Sequence, residues 1–301
     1  MHRNLQYLQR KHIDTQQWDR CIANAANGLL YAHSFYLDYM AGNWDALVLG
    51  DYEAVMPLTW RKKWGIRYVY RPAFIQQLGI FTGTELTVEL VNRFLNELPA
   101  HFRFADFFLN YAHPQTGLPG HSNFLLPLQL SYEQLRANYK HDLVKNLKRT
   151  SRFNLLYSKE NTYKESLAAF RDLYGNRIAH VTDDDYSRFE KVLAYLNERN
   201  NLVARSVTED GKLLSKGMLL RDKHRLYLIA SVTWPEGRNK GANHFLIDRL
   251  IDEFAGSSLV LDFEGSDIPG IAHFYKNFGS FDQPYYHFYY NKLPWPVRLL
   301  K

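Results

Sequence analysis

The sequence predicts a mixed α+β (α/β mixed) fold of two similar halves with mostly antiparallel central sheets. Short apolar runs separated by turn signals occur between Trp44 and Phe81, which is typical of an antiparallel meander. A second set of three apolar strands joined by tight turns lies between Leu202 and Trp234. Segments with apolar residues at three- and four-residue spacing follow each set and predict helices.

The elements of the first half follow from local patterns after this first meander. Residues Thr84 to Leu98 carry a one-sided apolar stripe and predict a helix. Phe102 to Tyr111 predicts a strand, and the proline- and glycine-bearing segment His113 to Asn123 predicts a loop. Asn123 to Leu130 predicts a short strand that ends the first half.

A long helix after Ser131 is predicted to link two domains. Ser131 is suited to cap its first turn, and the pattern continues to Arg152. We therefore divide the chain into residues 1–130 and 131–301, with residues 131–152 as the linking helix.

The second half alternates strands and helices. Asp183 is the expected cap of its third helix, counting the linking helix as the first. The predicted elements are a strand at Asn154 to Lys159, helices at Tyr163 to Arg177 and Asp184 to Asn197, the three strands up to Trp234, a helix ending near Phe254, a strand at Ser257 to Ser266, a helix at Pro269 to Gly279 and a strand at Tyr285 to Leu293.

Composition sets broad limits on function. The chain has 301 residues, 46% of them hydrophobic and 15% aromatic, which supports a substantial core. Its net charge of +6 favours anionic partners. The single cysteine, Cys21, excludes an internal disulfide and multi-cysteine metal sites, and it predicts a buried structural thiol. No segment resembles a signal peptide or membrane span, so we expect a soluble, cytoplasmic protein.

Several familiar catalytic and nucleotide-binding motifs are absent. The sequence contains no G-x-G-x-x-G, no G-x-x-x-x-G-K-[ST], no G-x-S-x-G and no H-E-x-x-H. The histidines lack metal-ligand spacing, and we expect no metal ion. His224, His244, His273 and His287 are predicted to be surface or core residues.

The stretch WPEGRNKGANHFLIDRLID (Trp234 to Asp252) joins a predicted strand to a predicted helix. A helix start offers unpaired backbone N–H groups, so this loop, with Arg238 and Lys240, could hold an anion such as pyrophosphate. Gly241 would let the anion approach the backbone. The alternative is an ordinary turn in which Asn239 or Asn243 caps the helix.

Two carboxylates lie near the end of the strand that precedes Ser266. Alternation places Asp262 and Glu264 on one face, where a carboxylate of raised pKa could accept a proton from an amine. The alternative is a turn-capping Asp262 and a solvated Glu264. Tyr275, in the following helix, could act as a general acid, although tyrosine is also an ordinary core residue.

Two clusters of basic residues could contact phosphates or RNA. In the linking helix, an apolar row (Leu135, Tyr139, Leu143, Leu147) lies beside a basic row (Arg136, Lys140, Lys148, Arg152) that Lys145 and Arg149 reinforce. Cations alternate with aromatic residues in the first meander: Arg61, Lys62, Lys63, Arg67 and Arg71 with Trp60, Trp64, Tyr68 and Tyr70. A solvated basic helix face and a two-faced sheet explain the same patterns.

The order strand, R-x-x-G loop, helix, strand and A-x-x-Y-x-x-x-G resembles the acetyl-coenzyme-A-dependent GNAT superfamily. Its pyrophosphate signature is Q/R-x-x-G-x-G/A, and this chain departs from it only at the last residue. The resemblance implies that donor binding falls to Arg238, Asn239, Lys240, Gly241, Ala242 and the departing Asn243. It also implies that Tyr275 is the general acid and that Gly279 is the glycine that follows it.

Three stretches, Val55 to Phe81, His141 to Asn154 and Leu261 to Gly279, extend the resemblance over nearly the full chain. With them the chain resembles the FemAB-like branch, in which two GNAT-like domains stand in tandem. The resemblance implies a degenerate N-terminal domain and a C-terminal domain that binds the donor. The expected activity is transfer of an acetyl or aminoacyl group to a primary amine of a small molecule, peptide or cell-envelope precursor. The donor would be acyl-CoA or aminoacyl-tRNA, with tRNA as a partner in the second case. The alternative is a non-catalytic protein that binds RNA or an anionic surface.

Overall fold

The computed structural model describes residues 4–114, 117–175, 181–265, 267–295 and 298. The chain forms two compact units. Residues Met1–His121 and Pro284–Lys301 form the first unit, and Ser122–Gln283 form the second.

The first unit is a mixed α/β unit around one sheet. Its elements are β1 (Leu5–Gln9), α1 (Thr15–Asn24), α2 (Ser34–Met40), β2 (Trp44–Leu49), β3 (Ala54–Lys63), β4 (Ile66–Tyr70), β5 (Phe81–Thr82), α3 (Val88–His101), β6 (Phe104–Leu109), β7 (Gly120–His121) and, after the second unit, β15 (Tyr285–Asn291), with short 3₁₀ turns at Arg10–His12 and Leu30–Ala32.

The sheet of the first unit has the strand order β1-β2-β3-β4-β6-β15-β7, with β5 paired to β3. Strands β2, β3 and β4 form the predicted antiparallel meander. Strands β4 and β6 run parallel. The apolar face of α3, including Phe94 and Leu98, is fully buried against this sheet's core, and burial of each such side chain contributes about 1.5–3 kcal/mol.

The second unit repeats this mixture of strands and helices. Its elements are β8 (Phe124–Pro127), α4 (Tyr132–Ala137), α5 (His141–Thr150), β9 (Leu156–Ser158), α6 (Tyr163–Tyr174), α7 (Asp183–Asn197), β10 (Leu202–Glu209), β11 (Lys212–Arg221), β12 (Arg225–Thr233), α8 (Pro235–Lys240), α9 (Ala242–Phe254), β13 (Val260–Asp262), α10 (Pro269–Lys276) and β14 (Phe281–Asp282).

The sheet of the second unit has the order β14-β8-β13-β12-β11-β10-β9. Among the described strands, β12 and β13 form its one parallel pair, so the prediction of mostly antiparallel sheets is confirmed. The predicted stripe of α9 is buried in the core at Leu246, Ile247, Leu250 and Ile251.

The boundary between the units differs from the division at residue 130. Strand β8 belongs to the second unit because it pairs with β13, with Leu261 opposite Leu126. Strand β15 belongs to the first unit because it pairs with β6 and β7. The last strand therefore returns to the sheet of the first half, which local patterns could not show.

The predicted long linking helix is two helices. Ser131 caps α4 in a capping box with Gln134, as expected of the cap residue. The helix then stops at Ala137, and the Lys140 N–H donates a hydrogen bond to the Asn277 carbonyl at 2.9 Å. Gly279, with φ +81°, approaches Asn138 so closely that a Cβ would lie 3.1 Å from the Asn138 Cβ. Packing against the end of α10 thus interrupts the helix.

Other local predictions also change. Thr182, rather than Asp183, caps α7, because its side chain accepts a hydrogen bond from the Asp185 N–H. The predicted ends at Arg177 and Ser266 lie outside the described residues. Across the described segments, no helix combines the length and the apolar character that are needed to cross a membrane.

Candidate active site

Strand β13 ends well before its parallel neighbour β12. The two strands pair over three residues, from Arg225 opposite Val260 to Tyr227 opposite Asp262. Strand β12 then continues to Thr233 after β13 has ended. Backbone groups at the carboxyl end of β12 are therefore without a β13 partner among the described residues, and such a gap suits an extended ligand.

The turn after β13 is held by Asp262. This carboxylate is fully buried, and its Oδ2 atom accepts hydrogen bonds from Arg225 Nη1 at 2.9 Å and Asn123 Nδ2 at 3.3 Å. Its Oδ1 atom accepts the Glu264 N–H at 3.0 Å. Burial raises the pKa of Asp262, and the Arg225 guanidinium opposes that rise. Asp262 therefore caps the turn, which is half of the alternative that the sequence left open.

Glu264 does not continue the strand alternation. Its φ of +61° is in the left-handed region, which strains a residue with a side chain. Gly265 follows with φ +59°, and a Cβ there would lie 2.2 Å from the Ser122 carbonyl oxygen. The backbone thus turns sharply and directs Glu264 away from the face that alternation predicted.

The Glu264 side chain is only partly solvated, in contrast to the other half of that alternative. The residue is half-buried, and its Oε1 atom is buried without a hydrogen-bond partner among the described residues. Burial raises the pKa of Glu264 to about 8. A carboxyl group in this state can exchange a proton near neutral pH.

Tyr275 lies close to this carboxyl group. Its ring stacks on Phe263 with a centroid distance of 4.6 Å. Burial raises the pKa of Tyr275, and the Glu264 charge raises it further. The Lys276 ammonium group lies 5.3 Å from the centre of the Phe124 ring, which Tyr275 also contacts. Tyr275 is therefore a protonated hydroxyl beside a buried acid.

The start of α9 is open. Its N-cap is Gly241, with φ +74°, and no side chain caps the helix. The first turn contains no acidic residue. Neither Asn239 nor Asn243 provides the cap that an ordinary turn would need. The unpaired N–H groups and the helix dipole therefore favour an anion here.

Three side chains lie around this helix start. A Cβ on Gly241 would lie 3.0 Å from Thr150 Cγ2, 3.8 Å from Arg149 Nη2 and 4.0 Å from His244 Nδ1. Burial lowers the pKa of His244, and the Arg149 charge adds to that effect. The His244 ring contacts Phe274 at 4.9 Å, and Phe274 contacts Tyr275 at 5.7 Å. Aromatic contacts thus connect the helix start to Tyr275.

The first three signature residues lie in α8 rather than in a loop. Arg238 donates hydrogen bonds to the Thr233 carbonyl at 3.2 Å and to the Tyr174 hydroxyl at 3.2 Å. Lys240 pairs with the carboxylates of Glu209 and Glu236. Asn239 is exposed. The charge of Lys240 is therefore compensated within the protein.

The last three signature residues form the start of α9. Ala242 is completely buried beneath Gly241. The Asn243 Oδ1 atom accepts a hydrogen bond from the Ser231 hydroxyl on β12 at 3.0 Å. The residue that departs from the signature is thus anchored to the strand below the helix.

The chain matches known proteins in structure but not in sequence. No family model matches the chain, and no curated protein matches it. The crystal structure of FemX aligns with a TM-score of 0.64 and 13% identity, over 98% of this chain and 99% of FemX. A tandem GNAT protein from the clavulanic acid biosynthesis pathway aligns with a TM-score of 0.55 and 11% identity, over 97% and 99% of the two chains.

A third solved structure is the C-terminal domain of a putative lysylphosphatidylglycerol synthetase from Agrobacterium fabrum. It aligns with a TM-score of 0.50 and 12% identity, over 95% of this chain and 94% of that domain. The chain has a tandem GNAT fold. The FemAB-like recognition from the sequence is confirmed at the level of fold.

Sequence patterns did not predict that Arg149 or His244 would lie at this site. Arg149 was part of the basic row of the predicted linking helix, but only the packing of α5 beside α9 brings it to Gly241. His244 follows the signature directly, and that position is the one signal that could have identified it. Arg149 therefore depends on a long-range contact for its place, whereas His244 lies close to Gly241 in the sequence.

A cavity of about 290 Å³ lies along the flank of α9 in the second unit of the tandem GNAT fold. Thr150 lines it and also touches the Gly241 position. The Arg136 and Arg249 guanidinium groups lie 5.9 and 5.7 Å from the centre of the Tyr132 ring. The Tyr132 hydroxyl donates to the buried Asp248 carboxylate at 2.9 Å. Aromatic, cationic and acidic groups therefore line one space next to the helix start.

The other groups that could take part in chemistry are metal-ligating side chains and the cysteine, Cys21. The described residues contain no group of three or more His, Cys, Asp or Glu side chains that could hold a metal ion. Burial raises the pKa of Cys21 to about 11, which disfavours a reactive thiolate.

Proposed function

We propose that the chain is an N-acyltransferase whose second unit transfers an acetyl or aminoacyl group to a primary amine. The amine would belong to a small molecule, a peptide or a cell-envelope precursor. One observation carries the proposal: the buried Glu264 Oε1 atom, which has no hydrogen-bond partner among the described residues, lies two residues beyond the end of β13, and the Glu264 charge acts on the Tyr275 hydroxyl. The fold that the chain shares with FemX and a tandem GNAT protein supports it.

The start of α9 would hold the phosphate groups of the donor. The residues present fit this role, because no side chain caps the helix start and Arg149 adds a cation beside it. A guanidinium group and backbone N–H groups together form strong, charge-assisted hydrogen bonds to phosphate. Arg238, Asn239 and Lys240 would contribute through α8, and Ala242 and Asn243 through the backbone of the first turn.

The flanking cavity would take the nucleotide part of the donor. Acyl-CoA and the acceptor end of aminoacyl-tRNA both carry an adenosine, so the same cavity suits either donor. Arg136 would face a phosphate, Asp248 would accept a hydrogen bond from a ribose hydroxyl or the adenine amino group, and Tyr132 would contact the base. Both donors are made in the cytoplasm, which is where the proposal places the protein.

Glu264 would accept the proton of the attacking amine. With a pKa of about 8, roughly a tenth of the carboxyl groups are ionised at pH 7, and this fraction rises with pH. The buried carboxylate is a stronger base than an exposed one, which suits removal of a proton from an ammonium group. Asp262 would act as a positioning residue, because its oxygens already hold Arg225, Asn123 and the Glu264 backbone.

Tyr275 would donate a proton to the leaving group. Its raised pKa keeps the hydroxyl protonated at neutral pH. In the reaction a carbon–nitrogen bond forms and the carbon–sulfur bond of a thioester, or the carbon–oxygen bond of an aminoacyl ester, breaks. The amine proton would pass to Glu264 and the Tyr275 proton to the departing sulfur or oxygen. Loss of the Glu264 proton to solvent and uptake of a proton by Tyr275 would then restore both groups, so the protons balance over one cycle.

Donor-dependent acylation tests the proposal. The wild-type protein is incubated with acetyl-CoA or with aminoacyl-tRNA and a panel of primary amines, and products are detected by mass spectrometry. The proposal predicts an amide product with one donor class, and inhibition by adenosine 3′,5′-bisphosphate if the donor is acyl-CoA. Steeply salt-dependent RNA binding with no product from either donor would instead favour a non-catalytic RNA-binding protein.

A further inference from the structure

The hairpin between β3 and β4 in the first unit ends in an unusual turn. Lys63 pairs with Ile66, so Trp64 and Gly65 are its two turn residues. Their φ angles are +51° and +78°. Positive φ at both positions is typical of a type I′ turn, for which Asn-Gly is the favoured sequence.

Trp64 is an unfavourable choice for this position. A bulky side chain in the left-handed region carries an energetic cost, which asparagine or glycine largely avoids. Burial does not offset the cost, because 67% of Trp64 is exposed. Its nearest described cation is Lys63, whose Nζ atom lies 4.8 Å from the ring centre. An exposed tryptophan in a strained turn suggests a role outside the fold itself.

The charges around the tip are all positive. Arg61, Lys62 and Lys63 are exposed, and no carboxylate lies within ion-pair distance of them in the described segments. Residues 59–71 contain five basic residues and no acidic one. Arg67 differs from the other cations, because it is turned inward and lies 3.8 Å from Asp45. Three cations without a carboxylate partner in the described segments therefore come directly before the exposed indole in the chain.

We propose that this hairpin tip binds the surface of an anionic phospholipid bilayer, with Trp64 at the level of the headgroups. Indole rings favour the boundary between water and lipid, and cations next to it are attracted to anionic headgroups. The tip projects as a turn, whereas single-stranded nucleic acid is usually followed along a groove with successive stacking rings. The proposal concerns the first unit and does not rest on the proposed acyl transfer.

Cosedimentation with vesicles tests this surface. The full-length protein is mixed with phosphatidylcholine vesicles that contain about a third phosphatidylglycerol, and with vesicles of phosphatidylcholine alone. We expect binding to the first and little to the second. Trp64→Asn should lower the partition coefficient about tenfold, and Lys62→Glu with Lys63→Glu should lower it further, since each cation near the surface is worth about fivefold.

The Trp64→Asn variant also separates function from folding. Asparagine suits the turn, so this variant should melt about 2 °C higher than the wild type while it binds vesicles less well. Trp295→Asn is the matched control, because Trp295 is 80% exposed and lies outside this hairpin. It should leave vesicle binding unchanged.

Three outcomes would overturn the proposal. The first is no binding of the wild type to anionic vesicles, and the second is equal binding of wild type and Trp64→Asn. The third is loss of tRNA binding in Trp64→Asn without any vesicle binding, which would assign the hairpin to RNA instead.

Discussion

Each unit contains a pair of parallel strands with a helix before the second strand. The two helices differ in the capping and charge of their first turns. In the first unit β4 and β6 run parallel and α3 precedes β6, while in the second β12 and β13 run parallel and α9 precedes β13. Thr87 caps α3, and Glu89 adds a carboxylate to its first turn. The start of α9 has no side-chain cap and no acid. An anion is therefore favoured at one helix start and disfavoured at the other.

The aspartates at matching positions of the two parallel pairs differ in exposure. Asp106 lies opposite Tyr70, and Asp262 lies opposite Tyr227. The Asp106 side chain is 49% exposed and contacts His287, whereas that of Asp262 is 1% exposed and pairs with Arg225. Only in the second unit does this position hold a turn that presents a buried acid. The contrast supports the proposed placement of the chemistry in the second unit, and the degenerate character of the first unit stays a prediction.

The largest effect is expected from Glu264→Gln. The neutral amide cannot accept the amine proton, so kcat/KM should fall about 100-fold or more. In the wild type the raised pKa makes the carboxylate the minor form below pH 8, so activity should rise with pH through about 8. Initial rates across pH 6 to 10 measure both effects. Glu89→Gln in the first unit is the control and should change neither.

The same variant has a stability signature. The wild-type carboxyl group is protonated in the folded protein up to about pH 8, whereas an exposed glutamate ionises near pH 4.5, so its contribution to stability is lost as the pH rises between these values. Glu264→Gln should therefore gain thermal stability relative to the wild type above pH 8. If the wild type and Glu264→Gln melted at the same temperature both at pH 6 and at pH 9, the raised pKa of Glu264 would be contradicted.

Asp262→Asn should act mainly on stability, and on turnover only through the position of Glu264. It removes the negative charge that the buried Arg225 faces, at a cost of about 3 kcal/mol in the free energy of unfolding. Asp106→Asn removes a half-exposed carboxylate and should cost about 0.5 kcal/mol or less. Urea unfolding of both variants measures the contrast, and similar losses would show that the two positions are equivalent.

Arg149→Ala should weaken donor binding. Loss of one charge-assisted contact at the start of α9 should raise the KM for the donor about tenfold with a smaller change in kcat. Lys145→Ala, on the same helix and also exposed, is the control for a merely solvated basic face. If both variants behave alike, the basic row acts only through its overall charge. Gly241 is a poorer test because any side chain there is strained.

The smallest effect is expected from Thr87→Ala. Removing the cap of α3 should lower stability by about 1 kcal/mol, as is usual for helix caps. Donor binding should stay unchanged, because the start of α3 is not a donor site in this account. Thermal melting with and without donor measures both quantities, and a changed donor-induced shift would place a second donor site in the first unit.

Patterns close in sequence were sufficient to predict much of the fold. The stripe of α9, the meander from β2 to β4 and the Ser131 cap depend on residues within a few positions of each other. The interruption of the linking helix was missed because it depends on contacts of Asn138 and Lys140 with α10.

The site was less predictable for the same reason. Glu264 and Tyr275 could be named from their place after β13, and the catalytic and donor-binding roles stay predictions. The left-handed turn at Glu264 broke the strand alternation, and no local signal indicated it. Arg149 needed the packing of α5 beside α9, and the compensation of Lys240 needed Glu209, which is 31 residues away along the chain.

The stoichiometry of donor binding tests the central contrast most directly. Calorimetric titration with acetyl-CoA, and separately with an aminoacylated acceptor-stem RNA, measures how many donor molecules each chain binds. The account predicts one site for one of these donors, with affinity weakened about tenfold in Arg149→Ala and unchanged in Thr87→Ala. Two sites per chain, no site for either donor, or an affinity that Arg149→Ala leaves intact would contradict it.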